Sequence, residues 1–184
     1  MCIRDRYSGF VILDIENQGN CQTIVPPEDW PLSVIICITD DREKNISSRE
    51  GMEISRMTSP LYQPWLDSNK SDIKVAKTAI AERNFRKLGE VAEQNCYRMH
   101  EVMKTSTPTI NYMTERTLNC IKDIKEIRKN GTDLLFTVDA GPQVKIVCNP
   151  DNKDLIKESL KSKPYIMKLI EAKIGSGARV INES

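Results

Sequence analysis

The stretch from Leu134 to Cys148, LLFTVDAGPQVKIVC, decides the fold because it contains two short strand-like runs on either side of a Gly-Pro pair. Residues 133–138 and 144–148 are predicted to be strands, and the short connection makes them a β-hairpin. An acid, Asp139, stands where the first strand ends. These residues alone leave open whether it forms a turn or faces a cleft.

Upstream of the hairpin, the chain alternates between strand and helix signals. Residues 32–39, LSVIICIT, form a continuous apolar run rich in β-branched side chains, which is typical of a strand buried on both faces. Helical spacing of apolar residues follows, and prolines at positions 60 and 64 are expected to interrupt it. The predicted helices run from 47 to about 57, through 71–103 as two helices broken near Arg83-Asn84, and over 114–129.

Beyond the hairpin, a helix is predicted from about 149 to 161, then a strand over 165–172 and a short last strand over 178–181. From residue 32 the order is strand, helices, strand, strand, helix, strand. This order predicts an α+β fold of the split β-α-β, ferredoxin-like type, with an enlarged helical insertion. Its antiparallel sheet should carry helices on one face.

The N-terminal part of the chain fits this domain less well. Residues 7–31 contain two short β-like runs and a proline-rich linker, so we expect them to be the remnant of a preceding domain, with the main domain spanning 32–184. The first six residues, MCIRDR, resemble a translated sequencing adaptor. Met1 is therefore not expected to be a biological start.

Charge and composition exclude several classes of function. Lys and Arg number 27 against 26 Asp and Glu, so a net charge of +1 gives no electrostatic reason to expect nucleic acid or an anionic membrane as a partner. No apolar run approaches the roughly 20 residues of a membrane span, and a cytoplasmic location is expected. The 6 cysteines lack C-x-x-C spacing and there is 1 histidine, so no metal site is expected.

The first candidate site is Ser47-Ser48-Arg49, at the start of the predicted helix. Ser47 and Glu50 have the spacing of a capping box. The unpaired amides of the first turn, the Ser48 hydroxyl and the Arg49 guanidinium together could bind an anion. A simply capped surface helix explains the same residues, and the residues alone favour it.

The second candidate is Asp139. As a strand-end acid before Ala-Gly-Pro it could serve as a turn former, an interpretation that spacing alone slightly favours. Its apolar neighbours Phe136, Val138 and Ala140 instead suggest a partly desolvated carboxylate at a strand end, where catalytic groups often lie. His100 is expected to be a core or helix-surface residue, and the chain contains no glycine-rich phosphate loop.

Several motifs together resemble one family. They are ISSREGM (46–52), TSP (58–60), NxxxMH (95–100), FTVDAGP (136–142) and the ending IGSGARVIN (174–182). In this order and spacing, the chain from about residue 7 onward is similar to diphosphomevalonate decarboxylases of the GHMP kinase superfamily. The resemblance implies the C-terminal domain of a GHMP-type enzyme.

The resemblance also implies a reaction, the ATP-dependent decarboxylation of mevalonate 5-diphosphate to isopentenyl diphosphate in isoprenoid biosynthesis. It implies that Asp139 is the active-site aspartate beside the C3 hydroxyl, and that Ser48 and Arg49, together with Ser47, bind the anionic substrate. ATP and Mg²⁺ are implied as cosubstrate, with a site mostly in an N-terminal half that this sequence lacks. A homodimer is compatible with this interpretation, and the 184-residue chain is expected to be inactive alone.

Rival interpretations stay open at this point. A sister enzyme, such as a phosphomevalonate decarboxylase or a mevalonate kinase, would share the fold. A module that binds a small molecule without catalysis is a rival of another class, since split β-α-β sheets also build regulatory domains. A pure interaction domain would be favoured if Asp139 lay exposed on a convex surface.

Overall fold

A computed structural model describes residues 7–14 and 19–178 of the chain. The predicted adaptor segment lies outside the described residues, as does the strand predicted over 178–181 beyond its first residue. The strands are β1 (Phe10–Asp14), β2 (Asn20–Val25), β3 (Ser33–Ile38), β4 (Leu134–Val138), β5 (Val144–Cys148) and β6 (Lys168–Lys173). The helices are α1 (Ser48–Thr58), α2 (Tyr62–Ala81), α3 (Phe85–Lys104), α4 (Glu115–Lys129) and α5 (Lys153–Leu160).

The central sheet has four strands in the order β4-β5-β3-β6, and every neighbouring pair is antiparallel. Strand β3 occupies an inner position although it comes first of the four in sequence, because the chain returns to it twice, through β5 and β6. This is the split β-α-β arrangement with helices α1 to α4 inserted between β3 and β4. The predicted α+β class and antiparallel topology are confirmed.

One face of the sheet is covered by α4 and α5. Alternate residues of β3 and β5 point toward these helices, and their burial alternates in the same register. The resulting core is largely apolar. It contains Ile35, Phe136, Ile146, Ile124 and Ile156, each fully buried, and four buried thiols, Cys37, Cys96, Cys120 and Cys148.

The opposite face is covered only toward one end. There Val25 of the β1–β2 hairpin, with Trp30 and Leu32 of the segment that follows it, packs against the junction of α2 and α3 and against Val147 of β5. Trp30 stacks on Phe10 with ring centroids 5.1 Å apart. The other end of this face carries the loop after β4, which includes Asp139.

Helix α2 differs from the sequence-based expectation. It begins at Tyr62, about two and a half turns before residue 71, and Pro64 lies inside it. A proline in the first turn of a helix costs little, because the N–H groups there have no intrahelical partner. The predicted break before α3 is confirmed, with Arg83 in a left-handed conformation (φ 55°) and Asn84 as the N-cap.

In the described part of the chain, no helix combines the length and the apolar character that a membrane crossing requires.

Candidate active site

The turn that follows β4 is held in place by hydrogen bonds from three directions. The Gly141 N–H donates to the carbonyl of Asp139 at 2.7 Å. The hydroxyls of Thr39 and Thr117 each donate to the carbonyl of Pro142 at 2.8 Å, and both threonines are fully buried. These bonds fix the backbone of the turn, and with it the position of the Cα of Asp139 at its start.

Asp139 is exposed, with 73% of its side chain accessible, and its Oδ2 accepts a hydrogen bond from Lys145 Nζ at 2.7 Å. The sequence-based expectation of a partly desolvated carboxylate is therefore wrong. The apolar neighbours that suggested it, Phe136 and Val138, turn toward the helix-covered core, while Asp139 extends beyond the strand end. Lys145 lies opposite Thr137 in the hairpin register, on the face of the sheet away from α4 and α5.

The start of α1 is anchored by a buried tyrosine. Ser47 is the N-cap and its Oγ accepts the Glu50 N–H at 3.2 Å, which confirms the predicted cap. The Tyr112 hydroxyl lies 3.0 Å from the carbonyl oxygen of Ile46 and 3.2 Å from that of Ser47. Gly51 makes room for this hydroxyl, because a Cβ at position 51 would lie 2.7 Å from it.

Lys44 connects the helix start to the aspartate-bearing turn. Its Nζ donates to Ser48 Oγ at 3.0 Å and to the carbonyl of Ala140 at 2.8 Å. Ser48 Oγ itself lies 3.5 Å from the same carbonyl. The two candidate regions of the sequence, Ser48 and the residue next to Asp139, are therefore in direct contact.

A cleft of about 360 Å³ lies beside this junction. Residues 40–44 form one wall, and residues 139–143 with Lys145 form the other. Asp139 thus lines a concave surface, which removes the condition that would have favoured a pure interaction domain.

Charged side chains of both signs line the cleft, four of them acidic and three basic. Arg42 forms a hydrogen-bonded ion pair with Asp40, which holds the pKa of that carboxyl well below its usual range, and Lys145 pairs with Asp139. Lys44 and Arg49 make no ion pair within residues 7–14 and 19–178, and Arg49 is exposed in the first turn of α1. The exposed guanidinium of Arg49 could meet an anion directly, whereas Lys44 already donates to Ser48 and Ala140.

The hydroxyl of Ser47 is already engaged as the helix cap. Ser48 contacts Lys44 and Ala140 of the cleft walls, whereas Arg49 is exposed in the first turn of α1 and does not line the cleft. His100 lies apart from them, 2% exposed, with Nε2 3.0 Å from the carbonyl oxygen of Val138. It is a core residue, as expected from the sequence. Among the described residues, no group of three or more His, Cys, Asp or Glu side chains could hold a metal ion.

Sequence reasoning missed four residues that build the site: Lys44, Tyr112, Lys145 and Gln143, whose side-chain amide bonds the backbone of Thr39 and Asp40. A signal existed for Lys145, because counting from the turn places it on the same face of the hairpin as Thr137. Lys44 lies in an irregular segment and Tyr112 just before α4, where neither helical nor strand periodicity applies. Their roles depend on long-range contacts: Tyr112 bonds a residue 66 positions away in the sequence, and Lys44 bonds one 96 positions away.

Comparison with known proteins identifies the family. Residues 34–181 match the sequence model of the family described as mevalonate 5-diphosphate decarboxylase C-terminal domain. The chain belongs to this family.

Individual decarboxylases agree with this assignment. The chain is 27% identical over 160 residues to the diphosphomevalonate decarboxylase of Candida albicans, covering 83% of this chain and 44% of that protein. The solved mevalonate pyrophosphate decarboxylase of Streptococcus pyogenes is 28% identical with a TM-score of 0.86, covering 96% of this chain and 54% of that one.

A third relative is a solved structure described as MDDEF in complex with MVAPP, AMPPCP and magnesium. It is 32% identical to the chain, with a TM-score of 0.78 over 85% of this chain and 48% of its own. The chain thus spans about half the length of the decarboxylases it matches.

Proposed function

We propose that this chain supplies one wall of the active site of an ATP-dependent decarboxylase that converts mevalonate 5-diphosphate to isopentenyl diphosphate. In this reaction the C3 hydroxyl oxygen attacks the γ-phosphorus of ATP, and ADP leaves. The C3–O bond then breaks with phosphate as leaving group. The electrons of the bond to the carboxylate form the C2=C3 double bond as carbon dioxide departs.

One observation carries the proposal: the Asp139 turn and the start of α1 lie in direct contact, joined by Lys44 through Ala140 and Ser48. The substrate needs a group near its hydroxyl and a separate site for its diphosphate. A carboxylate on one side of a junction and a helix N-terminus on the other meet both needs.

Asp139 is assigned to the hydroxyl, as base or as orienting acceptor. Its carboxylate lines the cleft, and Lys145 engages Oδ2 while the described residues provide no donor to Oδ1. A hydroxyl hydrogen could therefore be accepted at Oδ1 without displacing the lysine.

Ser48 and Arg49 are assigned to the anionic groups of the substrate. They occupy the first turn of α1, where the helix dipole and the free N–H groups favour negative charge. Ser47 contributes by capping that turn. ATP and Mg²⁺, which the complexed relative suggests through AMPPCP and magnesium, are assigned to residues outside this chain.

The direct test joins this chain to the N-terminal part of the Streptococcus pyogenes decarboxylase. Release of ADP, phosphate and carbon dioxide is measured from mevalonate 5-diphosphate and ATP. Asp139→Asn should lower kcat by at least about 100-fold, the lower range for loss of a group that handles a proton. Asp133→Asn, at the opposite end of β4, is the matched control and should keep the parental rate.

Two results would count against the proposal. Asp139→Asn turnover within about threefold of an active parent chimera would remove the role given to Asp139. Carbon dioxide release by the purified 184-residue chain without any added half would contradict the expectation that it is inactive alone. Competition between the mono- and diphosphate substrates in the chimera distinguishes the sister decarboxylase, since a preference for the monophosphate would reassign the substrate.

Assembly and location stay predictions of the sequence. Sedimentation of the chimera tests the homodimer, and fractionation of cells that express it tests the cytoplasmic location.

A further inference from the structure

The free edge of strand β4 is covered by helix α3 in an uncommon way. β4 pairs with β5 on one side, and an unpaired strand edge would leave N–H and C=O groups without partners on the other. Glu93, Cys96 and His100 of α3 supply the side-chain hydrogen-bond partners for these backbone groups. Their spacing of three and four residues places them on one face of the helix, facing the strand.

Glu93 holds the middle of the strand. Its Oε1 accepts the Phe136 N–H at 3.1 Å, and its charge is balanced by Arg128 of α4, whose Nη1 donates to Oε2 at 3.2 Å. Glu93 is 8% exposed, so the carboxylate, the strand and α4 form one buried connection. This connection fixes the position of β4 along the axis of α3.

Cys96 and His100 hold the last residue of the strand. The Val138 N–H donates to Cys96 Sγ at 3.3 Å, and the Val138 carbonyl oxygen lies 3.4 Å from Cys96 Sγ and 3.0 Å from His100 Nε2. A carbonyl only accepts, so Nε2 carries the hydrogen. Val138 therefore has both backbone groups fixed immediately before Asp139.

The protonation states of the two side chains suit this arrangement. Burial raises the pKa of the Cys96 thiol, so it stays protonated and can both donate and accept. Burial lowers the pKa of His100, so the ring is neutral near pH 7. Both side chains are therefore uncharged near pH 7.

We propose that these three side chains of α3, the α3 clamp, position the carboxylate of Asp139, and that His100 is the positioning residue that fixes the carbonyl before it. The inference rests on the function proposed for Asp139. His100 touches no reacting atom in this arrangement. It acts through the Val138–Asp139 peptide, while the threonines that hold Pro142 fix the far side of the turn.

The clamp explains how an exposed carboxylate can have a defined position. The Asp139 side chain is largely exposed, and within residues 7–14 and 19–178 its hydrogen-bonded side-chain partner is the partly exposed Lys145. Displacing a reacting group by about 1 Å can cost on the order of 100-fold in rate. A buried anchor one residue away is the nearest place at which such precision can originate.

The test uses the chimera described above, with three variants in α3. His100→Leu removes the donor, His100→Gln keeps a side-chain N–H donor, and Val102→Ala is the control because Val102 is buried on the same helix without a bond to β4. His100→Leu should lower kcat by about 10- to 100-fold with KM for the substrate within about threefold. His100→Gln should recover most of kcat, and Val102→Ala should leave it unchanged.

A second measurement keeps the inference testable if His100→Leu fails to fold. Cys96→Ala and Cys96→Ser differ in a hydrogen-bonding group at the same carbonyl, and the serine variant should retain the higher kcat. Amide exchange in the 184-residue chain should accelerate at Val138 in the alanine variant and not in the Val102→Ala control.

The outcomes separate the two proposals. If Asp139→Asn abolishes turnover while His100→Leu and Cys96→Ala keep the parental kcat, the clamp is not a positioning element and the proposed function survives. Equal losses in Val102→Ala and His100→Leu would show general destabilisation and also overturn the inference. If Asp139→Asn is active, the proposed function fails, and with it the purpose of the clamp.

Discussion

The contact between Gly51 and Tyr112 permits a quantitative test of how the helix start is built. Replacing Gly51 with alanine places a Cβ 2.7 Å from the Tyr112 hydroxyl oxygen, which no real structure tolerates without a shift. Tyr112 is 6% exposed and its hydroxyl is held by two backbone carbonyls, so it cannot move away freely. The hydroxyl must therefore give up its hydrogen bonding when alanine is introduced.

Two opposing terms set the size of the effect. Loss of the hydroxyl's bonding to Ile46 and Ser47 should cost about 1–3 kcal/mol, while alanine in a helix is favoured over glycine by about 1 kcal/mol. Gly51→Ala should thus destabilise the chain by about 1 kcal/mol net. In a Tyr112→Phe background the obstacle is absent, because the ring carbon Cζ lies 3.6 Å from the new Cβ, an ordinary contact. There the same substitution should stabilise by up to about 1 kcal/mol.

The assay is a double-mutant cycle on the 184-residue chain, with unfolding in urea followed by circular dichroism. The expected coupling between Gly51 and Tyr112 is about 2 kcal/mol, with a change of sign between backgrounds. If Gly51→Ala changes the free energy of unfolding equally in both backgrounds, the hydroxyl does not control this position and the account of the helix start is wrong.

Three further predictions concern the buried polar groups. Burial lowers the pKa of His100 and outweighs the hydrogen bond to the Val138 carbonyl, which raises it; Lys104 adds to the lowering, and Asp139 and Glu101 oppose it. Below about pH 6.5 the unfolded state therefore binds more protons. The free energy of unfolding should therefore decrease as the pH is lowered below this value, by at most about 1.4 kcal/mol per pH unit. His100→Gln should flatten this pH profile, measured by denaturation. Arg128→Leu should destabilise the fold by about 2–4 kcal/mol, the buried-pair cost reduced for partial exposure, because it strands the Glu93 carboxylate; Glu93→Gln in that background should restore part of the loss, and no restoration would refute the pairing. With Cys2 replaced, a thiol reagent should modify Cys21 first, and fast native-state labelling of another thiol would contradict the burial of Cys37, Cys96, Cys120 and Cys148.

Much of the fold was predictable because its signals are local or periodic. The hairpin over 134–148 followed from two apolar runs around a Gly-Pro pair, and the Ser47 cap followed from its spacing to Glu50. Strand order then left few topologies for a chain with this sequence of elements. The early start of α2 was missed because Pro64 was taken as an interruption, although a proline within the first turn is compatible with a helix.

The site was predictable in its parts and not in its assembly. Asp139 and Ser48 could be named from their positions after a strand and at a helix start, and motif resemblance related them to one reaction. Their contact depends on Lys44, whose bonds to Ser48 and Ala140 reach across 4 and 96 positions. The exposure of Asp139 was misjudged because neighbours along the chain do not reveal which way a residue turns once the strand has ended.

Gln143 gives the hairpin a safeguard against slippage. Its side-chain amide accepts the Thr39 N–H at 2.8 Å and donates to the carbonyl of Asp40, so it imitates a peptide group and extends the ladder between β3 and β5 by one rung. A shift of one residue would break that rung, bury Lys145 and expose Val144, Ile146 and Cys148. The same shift would carry the carboxylate away from the cleft. The Gln143 side-chain amide thus stabilises the register that also places Asp139 in the cleft, so a hairpin shifted by one residue would be both less stable and without its carboxylate at the site.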